Sequence, residues 1–136
     1  MIRKATPDDL PRVIELGRAF QAYSPYRNLP FDDEAFGEFC AGVMEAGIIL
    51  LSEDGFLGGL LNPMYFNPSV VMAVELFWWA GSTGRQLRQA FEEWAQENGA
   101  QGCQFTGLAD EREPTIRKVF ARAGYRACEV AFMKEF

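Results

Sequence analysis

Two neighbouring stretches of the sequence could do chemistry: a glutamate inside an apolar run and a glycine-bracketed turn that follows it. Residues 70–80 read VVMAVELFWWA, and Glu75 is the only charged residue among them. A carboxylate among aromatic side chains has its pKa raised by desolvation, which makes Glu75 a candidate general base. The alternative is a strand-end glutamate that reaches solvent or pairs with an arginine. Strand alternation places Glu75 on one face with Phe77 and Trp79. The opposite face then carries Val74, Leu76 and Trp78.

The turn after this run reads AGSTGR over residues 80–85 and opens onto an amphipathic helix. The first turn of a helix has unbonded backbone N–H groups and the positive end of the helix dipole, so it can bind an anion. A phosphate or pyrophosphate would fit this turn. The candidate binding residues are Ala80, Gly81, Ser82, Thr83, Gly84 and Arg85, with Arg88 adding a second cation. A capped turn that binds nothing is the alternative.

The elements around these residues predict an α+β fold. Capping residues and helical periodicity predict helices over about 7–22, 33–46, 83–98 and 113–123, the second capped by Asp32 and the last two closed by Gly99 and Gly124. Strands are predicted at 2–5, on both sides of a turn at 53–55, at 69–80, at 103–106, and once or twice within 125–134. We therefore expect about four helices flanking a mixed, mostly antiparallel sheet of six to seven strands.

Length and composition limit the classes of protein. The 136 residues, 49% of them hydrophobic, are enough for one domain over 1–136 with one core. The net charge of −6 argues against nucleic acid as a partner, and no apolar stretch is long enough to cross a membrane. Without histidine, and with three cysteines that lack ligand spacing, no metal site is expected, and the thiols should be free and buried. The absence of a signal sequence predicts a cytoplasmic protein.

Taken together, the chain resembles the GNAT superfamily of acyl-CoA-dependent N-acyltransferases nearly end to end. MIRKATPDDLPRVIEL resembles the opening strand and helix of that family. VELFWWAGSTGRQLRQAFEEWAQENGA resembles its cofactor-binding strand, pyrophosphate loop and helix, and TIRKVFARAGYRACEVAFMK its closing helix and strands. The sequence around FEEWA and AGY is similar to that of short GNAT-like proteins of phages and bacteria.

The resemblance implies a cofactor site and a mechanism. Acetyl-CoA would lie where the fourth and fifth strands part, with its pyrophosphate on the loop from Gly81 to Arg85. Backbone N–H groups between Phe77 and Ala80, Trp78 included, would bond the pantetheine arm and polarise the thioester carbonyl. Glu75 would act as the base, through water, that removes a proton from an amine before direct transfer of the acetyl group.

Two features depart from the family pattern. The loop is about half a dozen residues shorter than usual and lacks the customary Arg or Gln, which reduces the N–H donors for CoA. The family's tyrosine acid corresponds to Phe120, which cannot donate a proton. A lost general acid typically lowers the rate by about 10²–10⁴. Tyr26, Tyr65 and Tyr125 are the tyrosines that could act in its place, although packing or loop anchoring is the simpler role for each.

Three functions remain open from the sequence. The first is an N-acetyltransferase acting on an amine of a small molecule or protein, with Tyr23, Tyr26 and Arg27 in the loop that would bind the acceptor. The second is a binding protein on a GNAT scaffold with weakened or lost catalysis, for example a phage protein that binds a host enzyme; the same loop would then form the contact. The third is self-association as a homodimer through the last strands, EVAFMKEF. The sequence does not identify the acceptor, the host target or the oligomeric state.

Overall fold

The computed structural model describes all residues from Met1 to Phe136. The contacts divide the chain into two compact units, 1–106 and 107–136. The single domain over 1–136 stays a prediction.

The first unit contains five strands, a short 3-10 helix at Pro7–Asp9 and three α-helices. The strands are β1 Arg3–Lys4, β2 Gly47–Leu51, β3 Gly55–Met64, β4 Asn67–Ala80 and β5 Gly102–Gln104. The helices are α1 Leu10–Tyr23, α2 Asp33–Ala46 and α3 Gly84–Glu97.

The five strands form one sheet in the order β1-β2-β3-β4-β5. The first three pairings are antiparallel and β4 pairs with β5 in parallel, so the predicted mixed, mostly antiparallel sheet is confirmed. β3 and β4 form the longest pair and extend beyond their neighbours to a turn where Tyr65 and Phe66 are exposed.

Several predicted helix boundaries are confirmed by their caps. The Asp32 side chain accepts a hydrogen bond from the Ala35 N–H at 3.0 Å, as expected of an N-cap. Gly99 and Gly124, which follow α3 and the last helix, have φ values of +80° and +89°. Because residues other than glycine rarely adopt such angles, these two positions explain why the helices stop there.

The hydrophobic core lies on both faces of the sheet. On one face, α1 and α2 pack Val13, Leu16, Cys40 and Val43 against Phe56 and Phe77 of the sheet. On the other face, α3 packs Leu87, Phe91 and Ala95 against Leu57 and Ala73. The apolar faces of α1 and α2 therefore cover one side of β2, β3 and β4, and that of α3 covers the other. This packing fixes the position of the candidate site residues.

The second unit contains one helix, α4 Glu113–Arg122, and no strand. The prediction of one or two strands within 125–134 is wrong, and the sheet has five strands instead of six to seven. The segment has the alternating apolar pattern of a strand, but its backbone does not form one, and Val130, Phe132, Met133 and Phe136 are exposed. A strand requires a hydrogen-bonded neighbour, which a sequence pattern alone cannot supply.

Of the three cysteines Cys40 is fully buried and Cys103 is half-buried. Burial raises the pKa of the Cys40 thiol to about 12, which keeps it protonated and unreactive. Cys128 is exposed, so the prediction of buried thiols is wrong for that residue. No helix is long and apolar enough to span a bilayer.

Candidate active site

The parallel pairing of β4 with the edge strand β5 ends in the middle of β4. The parallel bridges join Met72, Ala73 and Val74 to Gly102, Cys103 and Gln104, and β4 then continues to Ala80. From Glu75 onward the outer edge of β4 takes no part in that pairing. This is the place where the resemblance predicts an acyl donor to lie between two parting strands.

Glu75 is located at the point where this pairing ends. Its side chain is buried, with 7% of the residue exposed. Desolvation raises the pKa of Glu75 to about 7, and hydrogen bonds donated by the backbone N–H and the hydroxyl of Thr106 partly oppose that rise. The carboxyl group is therefore close to half ionised at neutral pH, which suits a general base. Glu75 has no ion pair with an arginine, so the alternative role weighed for it does not apply.

A bulge in β4 changes the face on which Glu75 lies. Gly58 pairs with Phe77 and Gly59 pairs with Glu75, which leaves Leu76 as an extra residue. A Cβ atom on Gly59 would meet the Phe91 ring of α3, whereas one on Gly58 would meet the Phe77 ring. Glu75 therefore faces α3, and Phe77 and Trp79 face α1 and α2. The prediction that these three residues share one face is wrong, because simple alternation fails across a bulge.

The turn between β4 and α3 is occupied by an acidic side chain of the same chain. The Asp54 carboxylate, in the β2–β3 turn, accepts hydrogen bonds from the Ser82 N–H at 2.6 Å and the Ser82 hydroxyl at 3.0 Å. It also accepts one from the Thr83 hydroxyl, which lies 2.6 Å from the Ser52 hydroxyl. These bonds, that from Thr83 first, lower the pKa of Asp54 to about 2, so it is charged at neutral pH.

The other predicted cofactor-binding residues lie in two groups. Ala80 pairs with Gly55 at the end of β4, and Gly84 and Arg85 begin α3 with the Arg85 side chain exposed. Phe77 packs on Phe56 with ring centroids 4.6 Å apart, and Trp78 packs on Phe105 at 5.3 Å on the opposite face. The backbone of residues 77–80 therefore lies on the same strand just beyond Glu75. The turn after it is hydrogen-bonded to Asp54.

Arg88 does not add a free cation to the start of α3. It is buried, and its Nη1 atom donates to Glu92 at 2.9 Å along the same helix. Its Nε atom is buried without a hydrogen-bond partner. Of the two arginines considered for an anion, only Arg85 is exposed.

The predicted acceptor residues are only partly brought to the site. Tyr23, at the end of α1, packs against Trp79 of β4 with ring centroids 5.1 Å apart, and Phe20 stacks on the same indole at 5.6 Å. Tyr26 is half exposed in the turn that follows, and Arg27 folds back to donate to the Ser24 carbonyl at 3.3 Å. Tyr23 is therefore connected to the strand that carries Glu75, and Tyr26 and Arg27 belong to the turn itself.

Of the tyrosines considered as a proton donor, Tyr65 lies far from Glu75. Tyr65 is exposed at the tip of the β3–β4 hairpin, ten positions before Glu75, a separation of roughly 30 Å along a strand. In the second unit, Tyr125 packs edge-on against Phe120 with centroids 5.1 Å apart.

Sequence reasoning gave no role in this region to the side chains of Thr106, Asp54 and Trp79, although it placed Trp79 on the strand within residues 77–80. Trp79 carried a signal in the aromatic run FWWA, which places it one strand step from Phe77. Thr106 and Asp54 carried none, because each meets its partner through the fold, and Asp54 lies 28 residues from Ser82. The structure shows no group of three or more His, Cys, Asp or Glu side chains arranged for a metal ion.

The chain matches no protein-family model and no curated protein sequence, but it is similar to solved structures over its whole length. One is the structure of AAC(6')-Iy in complex with the bisubstrate analogue CoA-S-monomethyl-acetylneamine. The alignment covers 100% of this chain and 97% of the other, with a TM-score of 0.70 and 16% sequence identity. The chain is similar to an aminoglycoside acetyltransferase from an uncultured soil metagenomic sample, in complex with sisomicin (TM-score 0.69, 20% identity, 100% and 95% of the two chains). It is also similar to glucosamine-6-phosphate N-acetyltransferase from Arabidopsis thaliana, with a TM-score of 0.68 and 14% sequence identity over 100% of this chain and 97% of the other.

These neighbours share an architecture with the chain at low sequence identity. The chain therefore has the fold of the GNAT acetyltransferases, as the sequence predicts.

Proposed function

We propose that the protein is an N-acetyltransferase that moves an acetyl group from acetyl-CoA to an amine of a small molecule or protein. The observation that carries the proposal is Glu75: a buried carboxyl with a pKa of about 7 at the point where the β4–β5 pairing ends. A fold used by acetyltransferases supports the proposal. The CoA moiety in one structural neighbour and the aminoglycoside sisomicin in another support the two classes of substrate.

In this reaction Glu75 holds and moves a proton. Acting through water, its carboxylate takes a proton from the amine, whose nitrogen then forms a bond to the thioester carbonyl carbon. The carbon–sulfur bond breaks, and the thiolate leaves with the electron pair and is protonated from solvent. Those backbone groups between Phe77 and Ala80, Trp78 included, that point away from β3 would bond the pantetheine arm, and burial excludes bulk water from the base.

The acceptor would bind beside Tyr23 and Trp79, on the face of the sheet opposite to Glu75, and its amine would reach the base around the outer edge of β4 beyond the β5 pairing. Stacked aromatic rings bind apolar groups and cations, and the net charge of −6 favours a cationic amine. Tyr26 and Arg27 would contribute from the adjoining turn. A cytoplasmic location and a phage origin stay predictions from the sequence.

Two measurements test the proposal. Calorimetric titration with acetyl-CoA measures donor binding, and the release of free thiol in the presence of a panel of amines measures transfer. We expect thiol release that depends on both the thioester and the amine. Absence of amine-dependent release with every acceptor in the panel would contradict an acetyltransferase.

A second function is favoured by Asp54. Its carboxylate occupies the turn that would hold the pyrophosphate, and the family's tyrosine acid is replaced by Phe120. A GNAT scaffold retained for binding a protein partner would tolerate both changes. Donor binding without turnover would favour this function, and the absence of donor binding would leave only the scaffold.

A further inference from the structure

The turn after β4 has both of its hydroxyl donors and one backbone N–H bonded to an acidic side chain of the same chain. It consists of Gly81, Ser82 and Thr83. The Ser82 N–H, the Ser82 hydroxyl and the Thr83 hydroxyl all donate to the Asp54 carboxylate. A Cβ atom on Gly81 would lie 2.7 Å from Asp54 Oδ2, so the carboxylate also closes the space beside the glycine.

The same carboxylate opposes a second anion by its charge. The hydrogen bonds from Thr83 and Ser82 keep the pKa of Asp54 at about 2, so it bears a full negative charge at every pH at which the protein would work. Two like charges about 4 Å apart in water disfavour each other by roughly fivefold in a binding constant, and more where water is excluded. Arg85 is the one exposed arginine at the start of α3, since Arg88 is buried and bonded to Glu92.

We propose that Asp54 sets the donor specificity of this protein: the acyl thioester is recognised through its pantetheine arm, and the diphosphate of CoA contributes little. This inference rests on the proposed function and concerns the same site. Asp54 accepts from three of the donors that a ligand phosphate would use, while the pairing with β5 does not extend along β4 beyond Val74, where pantetheine would lie. A thioester of bare pantetheine is then about as good a donor as acetyl-CoA.

The experiment compares two probes, CoA and pantetheine, by calorimetric titration of the full chain. The variants are Asp54→Asn, which removes the charge with little change of shape, and Asp54→Ala, which also empties the position. Glu53→Gln is the matched control, because it removes the same charge from the neighbouring, exposed position of the same turn. Melting temperature and helical circular dichroism establish that each variant is folded. If Asp54→Ala does not fold, Asp54→Asn alone provides the test.

In the unchanged protein we expect CoA and pantetheine to bind within about fivefold of each other. Asp54→Asn should tighten CoA binding by about tenfold and leave pantetheine within about twofold, whereas Glu53→Gln should change the ratio by less than about threefold. The same order is expected for kcat/KM with acetyl-CoA and S-acetylpantetheine.

A CoA affinity about a hundredfold above that of pantetheine in the unchanged protein would overturn this inference. So would an Asp54→Asn variant that binds CoA no better, including one that binds neither probe. The proposed function fails on a different result, namely that neither thioester acetylates any amine, and a gain in CoA affinity on removing Asp54 could still be measured in that case.

Discussion

Gly59 lies opposite Glu75 across the β3–β4 pair, while the adjacent Gly58 lies opposite Phe77, so one residue of β4 has no counterpart. This bulge turns Glu75 toward α3 and leaves Phe77 facing α1 and α2. Without the extra residue, Glu75 would point to the same side as Phe77 and Trp79. The bulge thus places the candidate base on the opposite face of the sheet from these two residues, at the level where β5 stops pairing.

Replacing Glu75 by glutamine should lower acetyl transfer at pH 7 by at least about tenfold, because the amide cannot accept the proton of the amine. In the unchanged protein the rate should rise with pH through about 7, as the carboxyl ionises. Thiol release measured from pH 5 to 9 tests this. An inflection that belongs to the amine will appear in both proteins, and only the inflection near 7 should vanish. An equal rate in the two proteins would remove Glu75 from the mechanism.

Thr106 should tune the pKa of that base. Its N–H and hydroxyl both donate to the Glu75 carboxylate and favour the ionised form. In Thr106→Val the hydroxyl donor is lost, so the pKa of Glu75 should rise and the pH–rate profile should move to higher pH. Thr106→Ser keeps a hydroxyl and is the control, with a profile close to that of the unchanged protein. A shift of equal size in both variants would argue against the hydroxyl as the cause.

Glu75 should also make stability depend on pH. Its pKa is raised from 4.5 to about 7 on folding, so its carboxyl imposes no penalty below pH 4.5 and an increasing one as pH rises to 7. The difference between the two pKa values corresponds to a loss of roughly 3 kcal/mol in the free energy of unfolding at pH 8. Urea unfolding should therefore show Glu75→Gln and the unchanged protein nearly equal at pH 4, with the variant more stable at pH 8. A difference that is constant with pH would contradict the raised pKa.

The helices and most strands of this fold are predictable from local sequence. Asp32, Gly99 and Gly124 mark helix ends because capping and positive φ angles are properties of one or two residues. The glycine-bracketed turn before α3 and the apolar strand that carries Glu75 are local in the same sense. Candidate site residues on β4 and its turn could therefore be named before their neighbours were known.

The errors arise where a second segment decides the structure. The bulge at Leu76 depends on the register with β3, so the face of Glu75 could not be read from β4 alone. Asp54 accepts a hydrogen bond from Ser82, which lies 28 residues away along the chain, and no local sequence pattern predicts that contact. The segment 125–134 alternates like a strand but does not form one, because strand formation depends on a second segment that the pattern does not describe.

Tyr23 should contribute to binding of the amine. It packs on Trp79 at the end of the strand that carries Glu75, on the opposite face of the sheet, so its effect should fall on acceptor binding and not on proton transfer. Tyr23→Ala should raise the KM for the acceptor by about tenfold, the equivalent of one aromatic contact, with little change in the KM for the thioester. Tyr65→Ala is the matched control, since that tyrosine is exposed at the far tip of the hairpin. Equal effects of the two substitutions would contradict an acceptor site beside Tyr23.

The glycine opposite the candidate base should tolerate no side chain. A Cβ atom on Gly59 would lie 2.4 Å from the Phe91 ring and 2.7 Å from the Val74 carbonyl oxygen, neither of which can withdraw from the packed sheet. Gly59→Ala should therefore lower the free energy of unfolding by about 2–3 kcal/mol. Gly42→Ala, in α2 with no atom within 4 Å, should instead raise it by about 0.5–1 kcal/mol through helix propensity. Urea unfolding at pH 5 measures both changes with little contribution from the ionisation of Glu75. If Gly59→Ala proved as stable as the unchanged protein, the close approach of α3 to β3 beside Glu75 would be wrong.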